Sequence, residues 1–397
     1  MTELETVAHA RVVSGATVER LLCHPRLPLV AGLDTGRQAV HVWDWSTGEL
    51  REVAADGGPV AAWHPTEPVL VVAGHGRVER WTPGEVSDVD GIPLTAAYDD
   101  LAFSPDGQTL WASPSSAGGD DDWESSDVID LASGAVGAGA GPRWDTGVVG
   151  HPGGGLLMTF ASDQGATIGL FARVEQGRLR FLERALILDC DGYEAPIFSA
   201  DGRHLAIRGN SYDNSVEVFE LPSLHRVLAT TLGEPSPGYP YPREWLDQMN
   251  AWSRHNLAFA GGPGTLWIGT PAGALVEAGL DDQHAAAHEV VSGRVTALAA
   301  TATGELVVAG EAGELLLVSV PAGPAEVGST AEAVATAFLD STAVLPDGAD
   351  LWESLVMTNG SRTWTAADFE TVTTADAADP SWLRIQAAVN TAWDQQK

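Results

Sequence analysis

The chain is poor in positive charge. Lys397 is its one lysine, and Lys and Arg together number 21 against 54 Asp and Glu, a net charge of −33 over 397 residues. Nucleic acid is excluded as a partner, since binding it needs a basic footprint that is missing here. Two cysteines, Cys23 and Cys190, exclude a disulfide framework and a four-thiolate metal site. No apolar run approaches the roughly 18 residues of a membrane span, and stretches such as LPLVAGL and ELLLVSV are far shorter. The N-terminus, MTELETVAHA, starts acidic and does not read as a secretory signal. A soluble, cytoplasmic protein is expected. The preference for Arg over Lys, with abundant Ala and Gly, is the usage of a GC-rich, bacterial genome. What is present is an ordinary 44% of hydrophobic residues, enough for two or three domains or one large all-β domain.

That supply is distributed periodically. A unit recurs: a short apolar run, a turn built on His-Pro, Ser-Pro or Asp-Gly, a second apolar run, a polar or Gly turn, then a third. VERLLCHPRLPLVAGLDTGRQAVHVWDWSTGELREV begins the series at Val18, and VTALAATATGELVVAGEAGELLLVSV ends it at Val320. The turn anchors fall at His24, His64, Ser104, His151, Ser199, Gly262 and Ala302, with spacings of 40, 40, 47, 48, 63 and 40 residues. Each unit holds three or four strand-sized runs bounded by Gly, Pro, Asp and Asn. Four strands in about 40 residues make one propeller blade, and seven units make a ring.

Two motifs carry a family resemblance. HVWDW, from His41 to Trp45, contains the Trp-Asp dipeptide that ends the third strand of a WD-repeat blade, and AFSPDGQTL and IFSADGRHL are similar to the first turn common in that superfamily. The resemblance covers residues 1–320. It implies an all-β fold, a seven-bladed β-propeller of four-stranded antiparallel blades; beyond residue 320, helix signals in the sequence add a small C-terminal α-helical extension. The sequence departs from the pattern in keeping Trp-Asp in one blade only and in lacking Gly-His before each blade; Gly74-His75 follows a second strand instead. Residues about 5–13 have the shape of an outer strand and are expected to close blade 7, which removes an open sheet edge.

Two insertions interrupt the pattern. Residues 232–254, between blades 5 and 6, carry Pro235, Pro237, Pro240 and Pro242, then a helical turn or two from Arg243 to Trp252. Tyr239, Tyr241, Arg243, Trp245 and Trp252 are the residue types that interfaces favour. Blade 3 carries an acidic loop with Asp120, Asp121, Asp122 and Trp123, which suits a basic partner. The two insertions are expected on one face of the disc. After a linker that starts at residue 321, helix signals appear: Ser329 with Glu332 and Thr365 with Asp368 as capping boxes, and Asp379-Pro380 before SWLRIQAAVNTAWDQQ. Trp382, Ile385, Val389 and Trp393 form one apolar face there, to dock on the propeller or on another chain.

Catalytic signals are weak. His284 and His288 could share a helix face as zinc ligands, but no third ligand follows, and exposed positions on the outer part of blade 6 are the simpler reading. His24, His64 and His151 recur by blade, which assigns them to folding. No nucleophile elbow or phosphate loop is present, and no catalytic residue, metal or cofactor is expected. The reading is a non-catalytic protein-interaction scaffold for a protein or peptide partner, with a basic one suited to its charge. The alternatives are a hydrolase or lyase with its site in the channel mouth, or an accessory subunit of a neighbouring enzyme.

Overall fold

Short apolar runs of four to seven residues, cut by Gly, Asp and Pro, cannot build long elements, and the computed structural model accordingly consists of small sheets. It describes every residue except 1–3, 13–15, 55–59, 75, 94–95, 115, 117–125, 139–145, 164, 176–177, 210–211, 283, 322–326, 347, 377–378 and 396–397. Strand β1 (Glu5–Arg11) comes first. Blade 1 is β2 (Arg20–Cys23), β3 (Leu29–Asp34), β4 (Ala39–Asp44) and β5 (Glu49–Ala54). Blade 2 is β6 (Val60–Trp63), β7 (Leu70–Gly74), β8 (Arg77–Thr82) and β9 (Glu85–Asp88). Blade 3 is β10 (Asp100–Phe103), β11 (Thr109–Ser113), β12 (Asp127–Asp130) and β13 (Val136–Ala138). Blade 4 is β14 (Val149–Gly150), β15 (Leu157–Asp163), β16 (Ala166–Glu175) and β17 (Arg178–Asp189). Blade 5 is β18 (Ile197–Phe198), β19 (His204–Arg208), β20 (Ser215–Glu220) and β21 (His225–Thr231), followed by helix α1 (Arg243–Ala251). Blade 6 is β22 (Leu257–Phe259), β23 (Thr265–Gly269), β24 (Ala274–Gly279) and β25 (Ala285–Glu289). Blade 7 is β26 (Val295–Ala300), β27 (Leu306–Gly310) and β28 (Glu314–Ser319), with β1 as its fourth strand. The fold is a seven-bladed β-propeller.

The N-terminal strand lies antiparallel on β28, from Glu5 opposite Ser319 to Arg11 opposite Glu314, with a bulge between Thr6 and Ala8. The edge of β28 is thereby paired. Apolar clusters lie between neighbouring blades. Leu29, Val40 and Val42 of blade 1 pack with Trp63, Leu70 and Trp81 of blade 2, and Val30 and Trp43 pack with Val307 and Leu317 of blade 7. Asp44, the partner of Trp43 in the Trp-Asp dipeptide, caps its turn: its carboxylate accepts the Ser46 N–H at 2.9 Å and the Ser46 hydroxyl at 2.7 Å. Burial opposes its ionisation, but these bonds win and hold it below the usual carboxylate range.

The recurrent anchors latch one blade to the next. The Nδ1 of His24 accepts the N–H groups of Arg26 and Leu27, and its Nε2 donates to the Glu67 carbonyl of blade 2 at 2.8 Å. His151 repeats this with the Gly153 N–H and, at 2.9 Å, with the Gly202 carbonyl of blade 5. Gly202 has φ +70°, and a Cβ there would stand 2.3 Å from the His151 ring, so glycine is required on both counts.

The C-terminal segment is the expected helical extension, with a strand pair added to it. Helix α2 (Val327–Asp340) buries Phe338 against Phe171 of blade 4, ring centroids 4.6 Å apart. After α3 (Leu351–Ser354), strand β29 (Val356–Thr358) pairs parallel with β17, and β30 (Thr363–Trp364) pairs with β29, so blade 4 carries six strands. Ser329 lies inside α2 rather than at its cap. The Thr365–Asp368 capping box forms, at α4 (Ala366–Thr371). Helix α5 (Ser381–Asp394) starts after Pro380 and buries Trp382, Leu383, Ala387 and Asn390. Ile385, Val389 and Trp393 face solvent, so the expected apolar face is corrected by about a third of a turn. The reason is local: the Asn390 amide donates to the Phe369 and Val372 carbonyls at 2.7 and 2.8 Å, pinning the polar side of the helix inward.

Candidate functional site

In a ring of antiparallel blades all seven inner strands run the same way, so their first residues and the blade-to-blade connections share one face. The insertion that holds α1 is such a connection, and it meets the channel mouth on that face. Arg20 opens β2, Asp100 opens β10, Glu194 precedes β18 and His255 precedes β22. Four different blades thus bring an ionisable side chain to the same rim. Arg20 Nη1 stands 3.9 Å from Asp100 Oδ1. Arg254 Nε donates to Glu194 Oε1 at 2.7 Å, and His255 Nδ1 is 3.6 Å from Glu194 Oε2.

These groups are held from behind. Arg254 also donates to the carbonyls of Gly209, at 2.6 Å, and Gly192. Arg208, buried on β19, donates to Asn256 Oδ1 at 3.1 Å, to Asn214 Oδ1 at 2.6 Å and to the Ser253 carbonyl. The Asn214 amide in turn donates to the Met249 carbonyl at the end of α1. Thr296 donates to the Val18 carbonyl at 2.6 Å, tying blade 7 to the approach to blade 1. The insertion therefore positions Arg254 and His255 as well as projecting outward.

Burial pushes the His255 imidazole down to about 4, outweighing the attraction of Glu194, with the nearby Arg20, Arg254 and Arg208 charges acting in the same direction as burial. Burial pushes the Glu194 carboxyl up, yet His255, Arg254 and Arg20 together hold it below its ordinary value. At neutral pH the rim carries a neutral imidazole beside an ionised glutamate. Both thiols are inert: burial lifts Cys23 to about 12 and Cys190 to about 11, the latter helped by Asp189 and Asp191.

Of the residues singled out in the sequence, Tyr239, Tyr241 and Trp245 come together. Tyr241 stacks on Trp245 with centroids 5.3 Å apart, and Tyr239 meets Tyr241 edge-on at 6.0 Å. Trp245 is 8% exposed and its indole N–H donates to the Glu234 carbonyl at 3.0 Å, whereas Tyr239 is 88% exposed. Trp252 packs on the cluster between blades 5 and 6. Arg243 is exposed and pairs loosely with Asp247 at 3.9 Å. Asp120, Asp121, Asp122 and Trp123 lie outside the described residues.

His284 and His288 do not share a helix. His288 lies on β25 with only 11% of its side chain exposed, 3.3 Å from Glu277 and against the Trp267 ring, which corrects the expectation of two exposed histidines. No group of three or more His, Cys, Asp or Glu placed to hold a metal occurs among the described residues. Beside α5 lies a groove of about 630 Å³ lined by residues such as Thr373, Asp376, Arg384 and Thr391. Arg20, Asp100, Glu194, Arg254 and His255 were missed in the sequence. A signal existed: Arg20 and Asp100 each stand four residues before an anchor, His24 and Ser104, and Glu194 stands five before Ser199.

No protein-family model and no curated protein matches the chain. Its fold is shared. A chain of Kuenenia stuttgartiensis hydrazine synthase superposes with a TM-score of 0.53 at 14% identity, over 81% of this chain and 99% of that one. At that identity the likeness concerns the propeller alone. More than a thousand solved chains match as well, so widely used a scaffold that the site, and not the fold, must carry any functional argument. Among the described residues no helix is long and apolar enough to cross a membrane.

Proposed function

We propose that this propeller is a non-catalytic, WD-repeat-like recognition module of bacterial type that docks a protein or peptide partner on the face of the 232–254 insertion. The observation that carries this reading is the aromatic ladder: Trp245 is anchored and buried, Tyr241 is stacked on it, and Tyr239 is held out in solvent. A preorganised exposed aromatic loses little conformational freedom on binding, which is the property of a hot-spot residue. The net charge of −33 attracts a basic partner and raises its association rate, and Asp120, Asp121 and Asp122 add to that charge. Superfamily membership is supported by the Trp43-Asp44 turn and the Ser104 and Ser199 turns. Cytoplasmic placement follows from the same reading, as does a role as accessory subunit to an enzyme.

The test is a peptide array probed with the full chain and with Tyr239→Ala and Tyr241→Ala. Binding of Arg- or Lys-bearing peptides that falls about tenfold or more in the variants supports the reading; identical peptide sets and affinities would refute it. A second reading, a hydrolase or lyase, draws on Asp100, Glu194 and His255 converging from different blades at the channel mouth. In it His255, neutral and beside a carboxylate, would move a proton, and the insertion would serve as lid.

A further inference from the structure

Arg20 differs from the other charged groups at the rim. Arg254 and Arg208 spend their donors on carbonyls, amides and Glu194. The Arg20 guanidinium donates no hydrogen bond to any described residue; the carboxylate within ion-pair distance, Asp100, stands at 3.9 Å, beyond hydrogen-bond reach, and Glu194 acts on it only from farther away. Its side chain is 28% exposed, and that of Asp100 is 9% exposed. Five donors in a fixed fork at a partly dry channel mouth match a planar oxyanion better than anything the protein itself supplies.

The surroundings decide whether an anion is tolerated. Three guanidiniums, Arg20, Arg208 and Arg254, face three carboxylates, Asp100, Glu194 and Asp213, and His255 is neutral. Among these groups positive and negative charges balance, unlike in the strongly acidic chain as a whole. Glu194 is already engaged by Arg254 and His255, which leaves Asp100 as the group that competes with an incoming anion for Arg20.

We infer that the channel mouth is an oxyanion-binding site in which the Arg20 guanidinium takes the carboxylate or phosphate group of a small ligand and Asp100 limits its affinity. The site is separate from the aromatic ladder, so it stands or falls independently of partner docking; it deepens the second reading without requiring turnover. Two substitutions move the site in opposite directions. Arg20→Gln removes the fork, and Asp100→Asn removes the competing charge with little change of shape. Both remove the Arg20–Asp100 charge pair, so a purely structural role would shift ligand affinity in neither or in the same sense.

The experiment is calorimetric titration of the full chain with sodium succinate and, separately, inorganic phosphate, at ionic strength matched with sodium chloride. Saturable binding of either anion is expected, weakened about tenfold or more in Arg20→Gln and tightened severalfold in Asp100→Asn. Arg20→Lys, which keeps the charge without the fork, falls between wild type and Arg20→Gln if the geometry matters. Binding of succinate alone or phosphate alone supports the site and names its anion. Absence of saturable binding of both up to about 10 mM, undiminished affinity in Arg20→Gln, or weaker binding in Asp100→Asn overturns the inference.

Discussion

Acid should unfold this protein through His255 before its carboxylates protonate, and the size of the effect can be worked from the rim. In the folded chain His255 accepts a proton only near pH 4, against 6.5 for a free imidazole. The folded value is the lower one, so between those limits the unfolded chain binds more protons than the folded chain. Stability is therefore full above about pH 6.5 and falls as pH drops toward 4. At pH 5 the unfolded histidine lies about 1.5 pH units below its midpoint while the folded one is still mostly neutral, which amounts to about 2 kcal/mol. Burial likewise depresses His24, His41, His151 and His204, so the wild type should lose more than the share of His255. The assay is urea unfolding of wild type and His255→Asn at pH 7 and pH 5, read as a difference of differences. The variant should lose about 2 kcal/mol less than the wild type over that interval. Ordinary carboxylates titrate below this window, and any relief of like-charge repulsion is common to both proteins. An equal loss in both would show that His255 is solvated, and would refute the account of the rim as a dry, preorganised site.

Trp245→Ala should melt α1 without unfolding the ring, because a nine-residue helix is marginal alone and Trp245 is the one side chain this helix buries; hydrogen exchange should rise at 243–251 while the main thermal transition moves little. Gly202→Ala forces a side chain into the His151 ring at positive φ, and should lower stability by about 2–4 kcal/mol, a fall of the order of 2–5 °C in Tm. A chain beginning at Thr17 lacks β1 and exposes the edge of β28; light scattering should show association that the full chain does not.

The blades were legible because their signals are local. Five of the seven anchors sit in a turn whose chemistry (His-Pro, Ser-Pro, Asp-Gly) fixes the strands on either side, and most strands are short enough for Gly and Asp to mark their ends. The aromatic ladder was partly legible, since Tyr239, Tyr241 and Trp245 are neighbours in the chain; which of them is buried was not, because that depends on the Glu234 carbonyl and on the wall of blades 5 and 6. The rim was barely legible, through the spacing of Arg20, Asp100 and Glu194 from their anchors alone. Arg20, Asp100, Glu194 and His255 are up to 235 residues apart, and nothing at any one position announces the other three. Only the ring, by giving every inner strand the same direction, turns similar positions ahead of the anchors into proximity.

The C-terminal segment shows the complementary limit of periodicity. Trp382, Ile385, Val389 and Trp393 lie on a helix as their spacing requires, yet only Trp382 turns inward, edge-on to Trp364 at 5.1 Å and Phe369 at 5.4 Å. The inward face is set by two partners that an amphipathic pattern does not encode: the Asn390 amide, bonded to the 369 and 372 carbonyls, and the Asp189 carboxylate that accepts the Ser381 N–H at 2.9 Å. Asp189 ends β17, the twelve-residue strand that also receives β29. One unusually long outer strand thus holds both the added hairpin and the start of α5, and an apolar stripe is left outward because polar contacts at the ends of the helix fix its rotation first. A hydrophobic face on a helix reports what could be buried; the hydrogen bonds at its ends decide what is.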